Sequence, residues 1–256
     1  MPTMNVGMYS GAAGMRVGQD YQELVSQNLA LQNIPGFKQS LPVFSTDTSA
    51  PSGNQAGETT ASGNPAAIAM KRIIDFSQGQ VQPSASPYHV AIEGTAFFEV
   101  READGSTSYT RNGAFSLTSK GELLTTDGAK VLGKGGSTIH INPQLNGPVS
   151  IGTDGSISID GTPQGKLGLV HFDDPNKSLQ VGAYGRFTAT NSSDAKDGAK
   201  VSDQVVQGSL EQGNGNPVMQ MADMIQAMRL YEANQKSIQA IDDTQNQLIT
   251  NLGGHA

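Results

Sequence analysis

The chain contains no cysteine and no tryptophan, and aromatic residues make up only 5% of its 256 positions. Without cysteine it can form no disulfide, no thiolate metal site and no cysteine nucleophile. No run approaches the ~20 apolar residues that a membrane-spanning helix needs, so we expect no membrane insertion. The N-terminal residues carry neither a basic segment nor a continuous apolar one, so we also expect no cleavable signal peptide.

Positive charge is also scarce. The chain has 16 Lys and Arg residues against 23 Asp and Glu residues, which gives a net charge of -7. An acidic chain without basic clusters argues against binding to nucleic acid or to an anionic membrane surface. The 31 glycines indicate many turns and linkers.

Residue patterns typical of catalysis are missing from the sequence. It has no nucleophile elbow, no phosphate-binding glycine loop and no zinc-binding H-E-x-x-H motif. The four histidines, at positions 89, 140, 171 and 255, are scattered, and His140 and His171 alternate with apolar residues as side chains facing outward from strands do. The acidic pair at 173–174 precedes Pro and Asn and is typical of a turn. We therefore expect no catalytic residue, no metal, no cofactor and no small-molecule substrate.

The most regular pattern lies at the C-terminus, where residues recur every seven positions as in the a and d rows of a coiled coil. No Gly or Pro interrupts the run from Val218 to Leu252, Asn216-Pro217 suits a helix start, and Gly253-Gly254 suits its end. Such a helix is ~50 Å long, more than one small domain covers. We predict that it packs against other helices, and a helix lying on its own domain is the alternative. The rows are Met224, Tyr231, Ile238, Gln245 and Leu252, and Met221, Met228, Gln235, Asp242 and Ile249, with Ile225, Ile241 and Leu248 beside them.

A second helical pattern covers about residues 5–33. Its apolar residues are Met8, Met15 and Leu29 on one row, with Val17, Tyr21, Leu24 and Leu31 beside it. Four glycines lie inside it, in two pairs seven residues apart, Gly7 with Gly14 and Gly11 with Gly18. Each costs a helix about 1 kcal/mol relative to Ala. Their spacing would let another backbone approach closely, and flexible or loop structure is the alternative. Our hypothesis is that this helix folds only on assembly.

The middle of the chain changes character twice. Residues 45–69 are rich in Ser, Thr, Gly, Ala and Pro and indicate a linker or mobile loop. Residues 70–202 hold short alternating segments separated by Asp-Gly and Asn-Gly dipeptides, which predict an antiparallel β domain. The expected fold is α+β, with long N- and C-terminal helices pairing as a coiled-coil core and a β domain inserted between them. The expected domains are 1–44, 45–69, 70–202 and 203–256.

Four groups of motifs, in order along nearly the whole chain, resemble the bacterial flagellar rod and hook family of axial proteins. They are Gly11-Ala12-Ala13-Gly14-Met15 with Gln27-Asn28-Leu29-Ala30 and Asn33-Ile34-Pro35-Gly36-Phe37-Lys38; Val90-Ala91-Ile92-Glu93-Gly94 with Phe97-Phe98-Glu99-Val100; Tyr109-Thr110-Arg111-Asn112-Gly113-Ala114-Phe115 with Gly121-Glu122-Leu123 and Asp127-Gly128; and Gln207-Gly208-Ser209-Leu210-Glu211, Asn216-Pro217-Val218, Met224-Ile225, Arg229 and Tyr231-Glu232-Ala233-Asn234. Ile34 and Thr95-Ala96 depart from the family pattern.

The resemblance implies a structural subunit that assembles helically in the basal body across the periplasm and transmits torque from motor to hook. It implies as partners copies of the chain, other rod and hook axial proteins, and the flagellar type III export apparatus, which exports its substrates without cleavage. The expected subunit-interface residues are Met8, Met15, Leu24, Leu29, Met221, Met224, Ile225, Met228, Tyr231, Ile238, Leu248 and Leu252.

Within that family, the chain length and the residues around 131–139 and 210–218 most resemble the proximal rod subunits. A distal rod or hook subunit is the alternative. A secreted coiled-coil adhesin that displays the β domain, and a wall hydrolase associated with the rod, are alternatives from other classes.

Overall fold

The computed structural model describes residues 2–47, 67–142, 147–198 and 203–253, with backbone alone for 2–9, 46–47, 67–68, 192, 248–249 and 251–253. Most of the predicted linker, residues 48–66, lies outside the described part. Along the chain, a middle region of short strands and the one-turn helix α2 (Pro175–Ser178) lies between two long helices, α1 (Pro2–Leu31) and α3 (Pro217–Gly253). The strands of the described residues are β1 Ser40–Asp47, β2 Ala67–Ile74, β3 Val81–Pro83, β4 Val90–Glu93, β5 Phe97–Arg101, β6 Thr107–Thr110, β7 Phe115–Leu117, β8 Leu123–Thr125, β9 Lys130–Val131, β10 Val149–Ile151, β11 Ser156–Ile159, β12 Thr162–Lys166, β13 Leu169–His171, β14 Leu179–Val181, β15 Phe187–Ala189, β16 Lys196–Asp197, β17 Gln204–Gln207 and β18 Ser209–Glu211.

The chain divides into two compact units. The helical unit comprises residues 1–29, 40–73 and 217–256, and the β unit comprises residues 30–39 and 74–216. These units differ from the predicted domain boundaries in that residues 30–39 and 203–216 group with the β unit and residues 70–73 with the helical unit. Strands β1 and β2 pair with each other, so part of the segment predicted as linker, at 45–47 and 67–69, is strand.

The β unit is built from antiparallel pairs. Its largest sheet has the order β14-β15-β6-β5-β9-β8-β7, with β13 pairing to both β5 and β16. Smaller sheets join β10, β11 and β12, β17 with β4, and β18 with β3. The α+β fold class is thereby confirmed. The predicted strand at 138–142 instead makes only isolated bridges, Leu132 to Thr138 and Glu122 to His140.

The glycines of the Asp-Gly dipeptides have the positive φ angles predicted for tight turns, whereas those of the Asn-Gly dipeptides do not. The glycines at 105, 128, 155, 161 and 198 all have positive φ, as their tight turns require. Gly113 follows Asn and has no positive φ. A Cβ built there would lie 1.7 Å from the Val90 carbonyl oxygen, so that glycine allows two backbones to approach.

Two apolar clusters fill the β unit. The larger one is made of aliphatic residues from most strands around the fully buried Phe98. The smaller one is aromatic, with edge-to-face pairs such as Phe97 with Phe172 and Tyr109 with Phe172, whose ring centroids are 5.8 and 5.0 Å apart. Aromatic pairs of this geometry add to the stabilisation from burial.

Candidate assembly surface

Helices α1 and α3 lie side by side and antiparallel in the helical unit. A Cβ built on Gly11 would lie 2.6 Å from the Ile238 side chain, one on Gly14 would lie 2.5 Å from the Asn234 side chain, and one on Gly18 would lie 3.3 Å from the Tyr231 backbone. Low-numbered residues of α1 therefore face high-numbered residues of α3. The hypothesis that these glycines admit a close helix is confirmed for all three, and the covering helix belongs to the same chain.

Toward the C-terminal end of α1, the two helices are joined by a small apolar core and a polar contact. Tyr21, Leu24, Val25 and Ala227 form a buried cluster, with Met70 and Met224 packed against it. Beyond the cluster, Asn28 and Gln220 are both buried. The Asn28 amide donates to the Ser40 carbonyl (2.8 Å) and to Gln220 Oε1 (3.3 Å), and its own oxygen accepts from the Ser40 N–H (3.0 Å). Asn28 thus connects α1, α3 and the start of β1.

Tyr21 is also near an acid of α3. Burial raises the pKa of the Tyr21 hydroxyl, and the charge and hydrogen bond of Asp223 raise it further. The hydroxyl therefore stays protonated and can donate to the Asp223 carboxylate. This contact adds a polar tie across the helix pair.

The row of α3 that faces α1 differs in part from the predicted one. Three residues of the first predicted row, which we call the d row, contact α1 or its core within the chain: Met224, Tyr231 and Ile238. Their role in contacts between subunits stays a prediction. The other row at the contact is Gln220, Ala227 and Asn234, one residue before the predicted Met221, Met228 and Gln235. The prediction favoured large apolar residues, whereas the helices also meet through the small Ala227 and the polar Gln220 and Asn234.

The second predicted row, the a row that begins with Met221 and Met228, lies on a different face of α3, and these two residues and the neighbouring Ile225 are exposed. The exposed fractions are 56% for Met221, 54% for Ile225 and 45% for Met228. We call these three residues the methionine stripe. Gln235 and Asp242, which were predicted to be polar seam residues, are exposed as well.

The remaining predicted interface residues fall into different environments. Leu24 is buried within the chain, and Met15 and Leu29 are half-buried. The side chains of Met8, Leu248 and Leu252 lie outside the described residues. The structure therefore brings part of the predicted set together inside one chain and leaves the methionine stripe at the surface.

A groove runs beside the stripe between α1 and α3. Its apolar lining is Met224 and Met228. The other lining residues come from α1 and are mostly uncharged hydrogen-bonding side chains: Gln19, Gln22, Glu23, Ser26 and Gln27. Apolar side chains bordered by amides are typical of a protein-binding surface with few charges at its centre.

The rest of the described chain offers little for other chemistry. Within the described ranges, no three His, Asp or Glu side chains gather closely enough to bind a metal, and none of the helices is long and apolar enough to cross a membrane. His89 contacts Ser84, and His171 contacts the Gly198 carbonyl. These contacts are local.

Two family models match different parts of the chain. The model described as flagellar hook protein FlgE/F/G D1 domain matches residues 91–159, inside the β unit. The model described as flagellar basal body rod FlgEFG protein C-terminal matches residues 206–252, from the last strands through α3. The flagellar basal-body rod protein FlgF of Caulobacter vibrioides is 31% identical across 98% of this chain and 99% of its own length. The chain belongs to the flagellar basal-body rod protein family.

Other rod proteins are similar over comparable spans. FlgG of Bacillus subtilis is 31% identical across 94% of this chain and 97% of its own length, and FlgF of Mesorhizobium japonicum is 28% identical across 90% and 91%. The resemblance to axial proteins is therefore confirmed. The protein is a structural rod subunit of the flagellar basal body, and the helix pair and methionine stripe are features of that subunit.

Proposed function

We propose that this rod subunit assembles helically with copies of itself and with other flagellar axial proteins, and that neighbours cover its methionine stripe. The observation that carries the proposal is the exposure of Met221, Ile225 and Met228 along one face of α3. Contiguous exposed apolar surface marks interaction sites. The groove beside the stripe supplies hydrogen-bonding groups for the same neighbour.

The coiled-coil core belongs to this proposal. One chain supplies the antiparallel pair α1–α3, in which α1 leaves the face of α3 that carries the methionine stripe exposed. A neighbouring subunit's helix on that face would produce a multi-helix core, and a head-to-tail contact that does not close into a ring would give a helical filament. Such a filament can transmit torque from motor to hook, with the predicted β domain of residues 70–202 folding independently.

We further propose that the subunit is a component of the proximal rod, is exported by the type III apparatus without cleavage, spans the periplasm and has no enzymatic activity. The FlgF relatives support this. The FlgG relative from Bacillus subtilis, at the same identity as the first FlgF, favours a distal rod position as a second candidate.

The test is a charge placed on the stripe. Met228→Asp should remove the subunit from isolated basal bodies and abolish motility, because an assembled interface would bury an unpaired carboxylate. Monomer secondary structure, measured by circular dichroism, should not change. The matched control is Ala233→Asp, which places the same charge at another exposed position of α3.

A third variant separates the two faces of α3. Ile238→Asp should also abolish assembly while the β unit stays folded, but it should loosen the α1–α3 pair in the monomer, because Ile238 contacts Gly11. Normal incorporation and motility of the Met228→Asp subunit would refute the proposal.

A further inference from the structure

A small pocket opens on one face of the largest sheet of the β unit. The strand register gathers its residues: Glu99 lies opposite Tyr109 in the β5–β6 pair, Phe97 opposite Val170 in the β5–β13 pair, and Val170 opposite Asp197 in the β13–β16 pair. Residues directly opposite each other, and residues two apart along a strand, share a face of a sheet. These side chains therefore all lie on the same side of it.

The pocket has a volume of about 320 Å³ and belongs to the β unit alone. Its lining side chains are those of Glu99, Thr107, Tyr109, Val170, Ala195 and Asp197. Two carboxylates and several apolar groups thus face one small volume. We call this cavity the acidic pocket.

The two carboxylates of the acidic pocket have no cation bound to them. Among the described residues, neither Glu99 nor Asp197 makes a side-chain hydrogen bond or an ion pair. The neighbouring Lys196 is paired with an acid outside the pocket, and Arg101 donates to a backbone carbonyl (3.0 Å). Burial raises the pKa of the Glu99 carboxyl and the charge of Asp197 raises it further, while Arg101 opposes both. The pocket therefore carries uncompensated negative charge.

The hydroxyl of Tyr109 is a third polar group without a partner. The residue is only 6% exposed and its side chain lines the pocket, yet no described residue forms a hydrogen bond with its hydroxyl. Buried tyrosine hydroxyls normally have such a partner. Burial raises the pKa of Tyr109 and the charge of Glu99 raises it further, so the hydroxyl is protonated at neutral pH. It is directed at whatever fills the pocket.

These groups fit an arginine side chain. A guanidinium has five N–H donors in one plane and is less strongly hydrated than an ammonium, so it suits several separate acceptors beside apolar atoms. Its methylene stem can pack against Val170 and Ala195. Its donors can then reach the carboxylates of Glu99 and Asp197 and the oxygen of Tyr109.

The β unit of a second copy has no arginine free for this role. The unit contains three arginines. Arg101 donates to a backbone carbonyl, and the buried Arg111 and Arg186 are each paired with acids of the same unit. The exposed arginines of the described residues are Arg16 and Arg229, both in the helical unit. Copies of a chain with a net charge of -7 also repel one another, whereas a basic partner is attracted.

We propose that the acidic pocket binds an arginine side chain of a different protein that docks on the β unit. The site lies apart from the methionine stripe, and binding there does not depend on how neighbouring subunits cover that stripe. The carboxylates supply the charge complementarity, and the Tyr109 hydroxyl supplies a neutral acceptor.

The first test measures binding of a small probe to the full-length protein by NMR. N-acetyl-arginine amide should shift the signals of Tyr109 and Val170, whereas the uncharged N-acetyl-citrulline amide should not. Glu99→Gln and Asp197→Asn should each weaken binding about tenfold, because each removes a charged acceptor. The matched control is Glu93→Gln, which neutralises an exposed carboxylate of the same unit and should bind the probe as the parent does.

The binding data contradict the proposal in three cases: equal binding of the two probes, unchanged binding in Glu99→Gln and Asp197→Asn, or binding seen only in Lys200→Gln. The last result would assign the pocket to a lysine of this chain that lies outside the described residues. If circular dichroism shows that Glu99→Gln alters the fold, Tyr109→Phe decides by the same criteria, because it removes one hydroxyl and keeps the ring.

The second test identifies the source of the arginine. The photoreactive residue p-benzoylphenylalanine takes the place of Thr107 in living cells, and the crosslinked peptides are identified by mass spectrometry. They should come from a different protein and contain arginine, and Asp197→Asn should lower their yield while Glu93→Gln should not. Crosslinks that reach only a second copy of this chain, at the segments around Arg16 or Arg229, would overturn the proposal.

Discussion

The two units have cores of opposite kinds. The β unit is filled by a large aliphatic cluster around Phe98 and an aromatic cluster around Phe97, so its stability comes from apolar burial. The helical unit buries only Tyr21, Leu24, Val25 and Ala227 as its apolar cluster, joined through glycines and a buried Asn28. The difference indicates that apolar burial can stabilise the β unit by itself, whereas the helical unit buries little and leaves Met221, Ile225 and Met228 exposed.

The largest expected effect comes from a cavity in the apolar core of the β unit. Phe98→Ala should lower the unfolding free energy of the β unit by about 3–5 kcal/mol, because it removes a fully buried ring and leaves a cavity. Urea unfolding followed by circular dichroism measures this. Met228→Ala, on the exposed stripe, is the control and should change it by less than about 0.5 kcal/mol. Equal losses for both variants would mean that the two regions do not differ as described.

The next effect concerns the glycine contact. Gly18→Leu should destabilise the α1–α3 pair by up to about 3 kcal/mol, because its side chain would meet the Tyr231 backbone. Amide exchange of α1 reports the loss. Ala12→Leu adds the same side chain at an exposed position of α1 and should have little effect. Slower exchange in Gly18→Leu than in the parent would contradict a close backbone contact.

A smaller effect is expected at the polar end of the pair. Asn28→Leu should cost about 1–2 kcal/mol, because Gln220 Oε1 and the Ser40 backbone lose their partner while buried. Exchange at Ser40 and at the start of α3 measures it. Ala30→Leu, at an exposed position two residues later, is the control. If Asn28→Leu proved more stable than the parent, this end would behave as an ordinary apolar contact.

The smallest effect is a pH dependence in the β unit. Burial raises the pKa of the Glu99 carboxyl, Asp197 raises it further, and Arg101 opposes both. The folded state therefore holds this proton more tightly than the unfolded state, so the residue's contribution to stability falls as pH rises above its ordinary value near 4.5. Glu99→Gln should raise Tm by about 1–3 °C at pH 7 and not at pH 4. The exposed Glu93→Gln is the control, and an equal gain at both pH values would contradict this cause.

Much of the fold could be predicted because the signals were local. The period of seven and the flanking Asn-Pro and Gly-Gly fixed α3, and the Asp-Gly turns with alternating segments indicated antiparallel strands. The segment at 138–142 alternates as a strand does, yet it only bridges to Leu132 and Glu122, because pairing depends on residues distant in sequence. The same reason hides the buried ion pairs of Lys38 and Arg111 with Glu211, whose members are far apart along the chain.

The candidate surface was predicted in part. The glycine pairs on α1 and the d row on α3 were found, but Gln220, Ala227 and Asn234 were missed because they are small or polar. A signal was present: Gly11, Gly18 and Val25, and Gly14, Tyr21 and Asn28, each stand seven apart, as these α3 residues do. Only matching two helices at once shows that these small or polar residues face α1 and that Met221 and Met228 are left exposed.

The methionine stripe has a chemical consequence for the cell. Thioether side chains adapt their shape to different neighbours, which suits a subunit that meets more than one kind of surface along an axis. The same sulfur atoms accept oxygen, and conversion of exposed Met221 and Met228 to the sulfoxide would place a strong dipole along the surface that we propose neighbouring subunits cover. Subunits awaiting incorporation would then be vulnerable to oxidants, whereas those already in a filament would be shielded by their neighbours.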